Sequence, residues 1–134
     1  MIHAAEDIGM ADPFALIIAQ AAYYAVEVVG MPEARIPLAE ATVYLATAQK
    51  SNSIVSSIEK AMKYIQDYGV SPVPEHLRGD SPNYLYPHNF PGHFVFQKYL
   101  PDGITERFYN PTDQGREKII KERLEKLWKE RYKK

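Results

Sequence analysis

The distribution of apolar and polar residues predicts a first helix that is apolar almost all round. Between Pro13 and Gly30 the only polar interruptions are Gln20 and Glu27. These two residues are seven positions apart, so they fall on one thin stripe of a helix. The rest of its surface must pack against protein. We therefore predict a helix over 13–29 that needs cover on nearly every side.

Start and stop signals frame this helix. Asp12 is suited to the N-cap position with Pro13 as the first helical residue, and Gly30 to a left-handed C-terminal position. A membrane span would need about 20 apolar residues without an internal carboxylate, and the segment lacks such a run. The residues 1–9 begin inside a helical pattern with no capping residue ahead of them. We therefore expect the chain to be part of something longer.

Two further helices are predicted before residue 70. The segment 38–48 is rich in alanine and threonine, so a neighbouring chain can approach its backbone closely. From Ser51 to Gly69 apolar residues recur at spacings of three and four, which is typical of an amphipathic helix. The apolar positions of this third helix are Ile54, Val55, Ile58, Ala61, Met62, Ile65 and Tyr68.

The segment 70–111 has a different texture, because seven prolines and a group of tyrosines and histidines interrupt any long helix. We predict an ordered but irregular crossing. Within it, 94–100 and 104–109 hold strand-forming residues around a Pro-Asp-Gly turn. This pattern is consistent with a short two-stranded β-hairpin packed on the helices.

A last helix is predicted after Thr112, which can cap it. Glu117 and Lys121 are spaced as a favourable solvent-exposed ion pair. Lys121 and five other cations form a basic face that could contact a nucleic acid backbone, although interleaved glutamates dilute the charge. This face comprises Lys118, Lys121, Lys129, Arg131, Lys133 and Lys134.

Composition narrows the class of protein. A chain of 134 residues, 46% hydrophobic and 25% charged, describes one globular domain, and the predicted elements make its fold class all-α. The formal net charge of −1 hides an asymmetry, because residues 115–134 hold nine lysines and arginines against four glutamates. There are no cysteines, which excludes a disulfide scaffold and a thiolate zinc site and fits a cytoplasmic protein.

Signals for phosphate and metal chemistry are weak. No glycine is followed by lysine, so the chain has no P-loop, and Lys50-Ser51 follows a helix rather than a glycine-rich loop. His88 and His93 share a Pro-rich loop, but a zinc site needs three or four ligands. We expect the histidines to hydrogen-bond loop carbonyls instead.

Arg78 and the carboxylate pair Glu6 and Asp7 are further candidates for chemistry. Arg78 lies in a proline-flanked loop and could bind phosphate or tie down the loop, and the second role is favoured. The adjacent carboxylates of Glu6 and Asp7 point about 100° apart on a helix, so they make a poor acid and base pair. We expect one of them to form a salt bridge or to cap a helix.

Several strings together resemble the C-terminal region of the replication-associated recombination protein A family, bacterial relatives of the Werner helicase interacting protein. The resemblance spans essentially the whole chain in order. The strings are Ala5 to Pro13, Gly30 to Glu33, Leu38 to Ala41, Tyr44 to Ala46, Lys50 to Asn52, Val73 to Arg78, Tyr86 to His88, Gln97 to Pro101 and Tyr109 to Pro111.

The resemblance implies a helical domain, like the collar of clamp-loader subunits, that assembles an AAA+ ATPase into a homotetramer. It implies that ATP and magnesium bind upstream, so this chain itself would hold no cofactor and no catalytic site. The full-length protein would be a DNA-dependent ATPase acting at stalled replication forks with DNA and single-stranded DNA-binding protein. Its expected location is the cytoplasm, associated with the nucleoid and not with a membrane.

The apolar pattern and the family resemblance together give two sets of candidate residues. The oligomer interface candidates are Phe14, Ile17, Ile18, Tyr24, Val28 and Tyr44. Residues of the family strings that are candidates for structural or docking roles are Glu6, Asp7, Asp12, Lys50, Asn52, His76, Arg78 and His88. The chain departs from the family at 80–84, which is shorter than usual, and at Phe96, where an acidic residue is usual.

Two other function classes stay open. The domain could dock DNA or an acidic peptide through Arg78 and the basic last helix, and steep salt dependence of binding would favour that reading. A small hydrolase using His88 or His93 is the weakest alternative, because no nucleophile and base pair is visible at a suitable spacing.

Overall fold

The computed structural model describes residues 1–132, apart from the side chain at position 130. The predicted all-α class is confirmed, and no β-strand occurs in this described part of the chain. The α-helices are α1 (Phe14–Val29), α2 (Arg35–Thr47), α3 (Ser53–Tyr68), α4 (Glu117–Leu127) and α5 (Lys129–Tyr132). Two N-terminal turns precede them, the π-type turn Ala4–Ile8 and the 3-10 turn Gly9–Ala11.

The core between α1, α2 and the N-terminal turns is small and rich in alanine. Among the described residues, the buried hydrophobic side chains are one isoleucine, Ile8, and seven alanines. Short side chains let helices approach closely, but each one buries little apolar area. The seven alanines are Ala4, Ala11, Ala15, Ala19, Ala22, Ala34 and Ala41.

The first two helices lie close to their predicted limits. The Asp12 carboxylate accepts a hydrogen bond from the N–H of Phe14 at 3.2 Å, and Gly30 has the predicted positive φ of 74°. The second helix begins at Arg35, three residues before its predicted start, with Pro37 inside its first turn. A proline is tolerated there because the N–H groups of the first turn have no acceptor within the helix.

The predicted hairpin is wrong, because the crossing runs through extended backbone and short 3-10 turns at Glu75–Leu77, Pro87–Asn89 and Pro91–His93. The buried amide of Gln97 takes the place of a strand partner: its Nε2 donates to the Leu85 carbonyl at 2.7 Å, and its Oε1 accepts from the Leu85 N–H at 3.3 Å. Strand pairing would alternate side chains between two faces. Phe94, Phe96 and Tyr99 instead all contact one ring, that of Trp128.

The last predicted helix is two helices with a break at Trp128. That residue leaves helical geometry, with φ −115° and ψ 47°, and its ring packs against the crossing. Thr112 does not cap α4, because its hydroxyl accepts from the N–H of Gln114 at 3.3 Å and donates to Glu117. The helix begins only at Glu117, and this places the first side chain of α4 in the interior.

Candidate assembly surface and buried hydroxyl cluster

One face of α1 is apolar and uncovered, and we call it the α1 seam: Phe14, Ile17, Ala21, Tyr24 and Val28. These residues recur at spacings of three, four, three and four, the repeat by which one helix packs along another. The four large side chains are between 56% and 65% exposed. The opposite face carries the buried alanines 15, 19 and 22. Four of the six predicted interface residues therefore lie on the α1 seam.

The other two interface candidates lie elsewhere. Ile18 is half-buried on the side of α1 between the α1 seam and the alanine core. Tyr44 packs against that core, and its hydroxyl donates to the Asp12 carboxylate at 2.7 Å. Tyr44 thus contributes to contacts inside the chain that hold α2 at the start of α1.

Large apolar side chains are also exposed on the next two helices. Ile36 and Val43 protrude from α2, and four residues of α3 form a continuous stripe. Monomeric soluble proteins rarely expose contiguous apolar surface on this scale, which usually marks an interaction site. We call the set on α3 the α3 stripe: Ile54, Ile58, Met62 and Ile65.

A buried carboxylate organises the other end of the fold. Glu117 is 0% exposed, and two hydroxyls donate to each of its carboxylate oxygens. Oε2 accepts from Ser51 at 2.5 Å and from Thr112 at 2.6 Å, while Oε1 accepts from Tyr109 at 2.8 Å and from Ser53. Four donors saturate an ionised carboxylate, so this negative charge can be buried without a cation. We call these five residues the hydroxyl cluster.

The hydroxyl cluster joins parts of the chain that are distant in sequence. Its members begin α3, begin α4 and end the crossing between them. Backbone hydrogen bonds extend the junction to the N-terminal turns: the Ser51 N–H donates to the Asp7 carbonyl and the Arg116 N–H to the Ala11 carbonyl, both at 2.8 Å. The cluster is thus the principal polar tie between α3, α4 and the N-terminal turns in the described chain.

The electrostatics of the cluster favour one protonation state. Burial by itself would raise the pKa of Glu117, but the hydrogen bonds from the four hydroxyls outweigh it, so the pKa lies below its usual value. Burial, followed by the hydrogen bond to Glu117, raises the pKa of Tyr109. The carboxylate is therefore ionised and Tyr109 keeps its proton near neutral pH, as the hydrogen bonds require.

We expect the pKa of Glu117 to make the fold sensitive to acid. Because that pKa is lowered by folding, the unfolded chain binds protons first as the pH falls. The stabilisation is complete above the ordinary glutamate pKa of about 4.3 and is lost as the pH falls through the lower folded value. Urea unfolding of the wild type and of Glu117→Gln between pH 7 and pH 3 should show a shallower pH dependence in the variant. Equal slopes would contradict this prediction.

Among the family-string residues, those near the N-terminus and the α2–α3 turn make structural contacts. The Asp7 carboxylate lies 2.6 Å from Nδ1 of His3, which makes a salt bridge whenever that histidine is protonated, and both Glu6 and Asp7 are exposed. Lys50 donates to the Leu45 and Ala48 carbonyls, each at 2.7 Å, and so caps the end of α2 rather than facing a phosphate. Asn52 lies at the N-cap position of α3 without a side-chain hydrogen bond to that helix.

Two of the three string residues in the crossing, His76 and Arg78, contact loop carbonyls as predicted, whereas His88 contacts a second histidine. His76 Nε2 lies 2.7 Å from the Lys98 carbonyl, and Arg78 Nε donates to the Val73 carbonyl at 2.7 Å. The Nδ1 atoms of His88 and His93 lie 3.2 Å apart. Within the described chain, no group of three or more His, Cys, Asp or Glu residues is arranged to hold a metal ion.

The cations of the predicted basic face do not form one exposed surface in the described part of the chain. Lys121 pairs with Asp113 at 2.9 Å, and Arg131 is half-buried with its Nη2 donating to the Glu106 carbonyl at 2.5 Å. Lys118 and Lys129 are exposed, while Lys133 and Lys134 lie outside the described residues.

Arg131 also lines an aromatic cleft of about 660 Å³ beside Trp128 and Tyr132. No helix in the described part of the chain could cross a membrane.

Sequence reasoning missed the role of Glu117, which it placed on the solvent face as the partner of Lys121. The structure buries Glu117 and gives Lys121 to Asp113. A usable signal was the concentration of hydroxyl residues just before two helices, at 51–53 and 109–112. Side chains with spare donors at such positions can surround a carboxylate that begins a helix.

The fold belongs to the class of all-helical domains, and comparison with known proteins specifies it further. The chain matches the family described as MgsA AAA+ ATPase C terminal over residues 1–128. Over 96% of its length it is 38% identical to replication-associated recombination protein A of Bacillus subtilis, and over 79% it is 42% identical to ATPase WRNIP1 of Dictyostelium discoideum. It is also 35% identical to the Escherichia coli K12 replication-associated recombination protein A.

The chain therefore belongs to the family of MgsA AAA+ ATPase C-terminal domains. It spans 34% of the Bacillus protein, 30% of the Escherichia coli protein and 14% of the Dictyostelium protein.

Proposed function

We propose that this chain is a non-catalytic oligomerisation domain that joins four copies of a clamp-loader-like AAA+ ATPase. The observation that carries the proposal is an inversion of the usual burial pattern. The buried hydrophobic residues among the described ones are Ile8 and seven alanines, whereas most of the large apolar side chains of α1, α2 and α3 are exposed. Burying an exposed isoleucine or phenylalanine contributes about 1.5–3 kcal/mol, so burying several of them together offsets part or all of the cost of association.

The domain's contribution to activity is geometric. Holding four ATPase units together sets their spacing and raises their effective concentration on one DNA molecule. In the full-length protein we place ATP and magnesium on the upstream domain, and DNA and single-stranded DNA-binding protein among its partners. The names of the relatives support a role in replication-associated recombination. Action at stalled forks and a location in the cytoplasm near the nucleoid are further parts of our proposal.

The α1 seam supplies the test. In Ile17→Asp, a carboxylate replaces a side chain that is 60% exposed in the isolated chain, so we expect little loss of helix. Burying that charge in an interface would cost several kcal/mol, and we expect the tetramer to dissociate. Multi-angle light scattering over a dilution series measures the mass, and circular dichroism measures the helix content.

The matched control is Ile119→Asp on α4. Ile119 is also a helical isoleucine and is 67% exposed, but it lies on a different surface. This variant should keep the mass of the wild type. A wild-type chain that is monomeric at micromolar concentration would exclude the proposed assembly, and equal dissociation of both variants would remove the α1 seam as its site.

Docking of DNA or an acidic peptide through Arg78 and the last helix has weaker support. Arg78 donates to a loop carbonyl, Lys121 is paired with Asp113, and Arg131 is tied to Glu106. Among the predicted cations that the structure describes, these three are therefore held by groups of the chain itself, and Lys118 and Lys129 are exposed.

A further inference from the structure

The aromatic cleft beside Trp128 shares no residue with the α1 seam. Its volume of about 660 Å³ is that of a small-molecule site, and residues of the crossing, α4 and α5 form its walls. Six of the lining residues are aromatic, and the rings of Phe96 and Tyr99 are 58% and 43% exposed. Flat aromatic surface is therefore open to a ligand. The six aromatic residues are Phe96, Tyr99, Phe108, Tyr109, Trp128 and Tyr132.

The charge of the cleft lining is positive. Lys98, Arg107 and Arg131 line it, and no aspartate or glutamate does so among the described residues. Lys98 pairs with the exposed carboxylate of Asp102. Arg107 and Arg131 are half-buried, and neither is paired with a carboxylate in the part of the chain that the structure describes. The cleft thus holds two positive charges without a counter-charge.

Neutral groups fix both guanidinium groups in position. Arg131 Nη2 donates to the Glu106 carbonyl at 2.5 Å. Arg107 donates through Nη1 to the Arg131 carbonyl at 3.2 Å and through Nε to Asn110, and its guanidinium lies 5.2 Å from the centre of the Tyr132 ring. Within the described chain, Nη2 of Arg107 and both Nε and Nη1 of Arg131 have no acceptor. Because a partly buried cation without an anion costs free energy, an anion bound here would recover that cost.

The lining matches a small anion that carries a flat aromatic ring. Guanidinium groups bind phosphate oxygens through paired N–H donors, and aromatic side chains stack on nucleobases. A phosphate monoester carries about two negative charges near neutral pH, as many as the cleft leaves uncompensated. A nucleoside monophosphate combines both chemical features in one molecule of suitable size.

A nucleic acid strand matches the surface less well than a single nucleotide does. Proteins that bind single strands hold successive phosphates along a continuous basic groove. Nearby cations do not extend the cleft in this way, because Lys121 pairs with Asp113 at 2.9 Å and Lys60 with Glu106 at 3.2 Å. The uncompensated charge of the cleft is therefore local, on the scale of one phosphate group.

We propose that this cleft binds one free nucleoside monophosphate, with the phosphate on Arg107 and Arg131 and the base against the rings of Phe96, Tyr99 and Trp128. The bound nucleotide joins the crossing to α5 and stabilises the folded domain by mass action. The site does not depend on the proposed tetramer, since all of its residues belong to one chain.

Tryptophan fluorescence of the 134-residue chain tests the proposal. Trp128 is the only tryptophan, so a change in its emission reports on the cleft directly. AMP should quench this emission with a Kd below about 1 mM, and it should bind at least about tenfold more tightly than adenosine or inorganic phosphate. Each of these two compounds can make only one part of the contacts. Isothermal titration calorimetry gives the same constants without relying on the fluorophore.

Three variants locate the binding, with calorimetry as the measurement. Arg131→Gln removes one guanidinium group and should weaken AMP binding about tenfold or more. Phe96→Ala removes an exposed ring, so the fold is not at risk, and it should weaken binding about fivefold or more. The matched control is Arg123→Gln, because Arg123 is exposed on α4 and does not line the cleft; this variant should bind AMP as the wild type does. Circular dichroism must show wild-type helix content in each variant.

Three results would contradict the proposal. The first is a wild-type chain that does not bind AMP up to about 5 mM. The second is binding that Arg131→Gln and Phe96→Ala both leave unchanged, since the nucleotide would then lie elsewhere. The third is a short oligothymidylate, or an acidic peptide with one aromatic residue, that binds the cleft at least about tenfold more tightly than AMP. The cleft would then serve a macromolecule and not a free nucleotide.

Discussion

Glu117→Gln should destabilise the domain by about 3 kcal/mol, although it changes one atom and keeps the side-chain volume. Each carboxylate oxygen accepts from two hydroxyls. An amide nitrogen cannot accept, so two buried hydroxyls lose their acceptor, and the two that remain bond to a neutral oxygen instead of a charged one. Urea unfolding followed by circular dichroism, at one fixed protomer concentration, measures the change.

The control is Glu122→Gln on the same helix. Because Glu122 is exposed, this substitution should change the free energy of unfolding of the domain by no more than about 0.5 kcal/mol. A loss of less than about 1 kcal/mol in Glu117→Gln would mean that the hydroxyls of Ser51, Ser53, Tyr109 and Thr112 find other acceptors. The hydroxyl cluster would then not be the tie that we describe.

Gly115→Ala should be at least as costly, with a loss of about 3 kcal/mol or more. Gly115 has φ of +51°, and a Cβ there would lie 2.2 Å from the Ala11 carbonyl oxygen and 2.7 Å from Oε1 of Gln49. The backbone contact cannot relax by a rotamer change. It must push apart the loop before α4 and the N-terminal turns, breaking the hydrogen bond from the Arg116 N–H to Ala11.

Gly79→Ala is the control that distinguishes the effect of the Cβ contact with Ala11 from the effect of the left-handed backbone conformation. Gly79 has nearly the same φ, +49°, but a Cβ there would meet nothing within 4 Å. It should cost only the strain of the left-handed conformation, about 1 kcal/mol. The melting temperatures of the two variants, measured side by side, give the comparison. Equal losses would show that the contact with Ala11 carries no weight.

The parts of the fold that depend on local pattern could be predicted. The limits of α1 and α3 follow from their apolar spacing and from the glycines that end them, because helix period and chain termination are properties of neighbouring residues. The choice of Phe14, Ile17, Tyr24 and Val28 as interface candidates follows from the same pattern, since a helix that is apolar all round offers more apolar surface than a small core can cover. The pattern did not separate interface residues from core residues.

Predictions that required a partner distant in sequence failed. The segment 94–109 has the composition of a hairpin, but the buried Gln97 amide binds the Leu85 backbone instead of a partner strand. The Trp128 ring contacts both Phe96 and Tyr99, whose side chains would lie on opposite faces of a strand. Trp128 likewise ends α4 for a tertiary reason, because its ring packs on the crossing. Period and propensity carry no information about such partners.

The sequence by itself determined an all-α domain, a first helix with too much apolar surface for one chain, and membership of a family recognised by its ordered strings. Only the tertiary structure decided that Glu117 is buried and Lys121 pairs with Asp113, and that the apolar residues of α3 face outward. The physical reason is the same in each case. A helical pattern says which residues share a face, but the direction of that face depends on contacts between segments far apart in the chain.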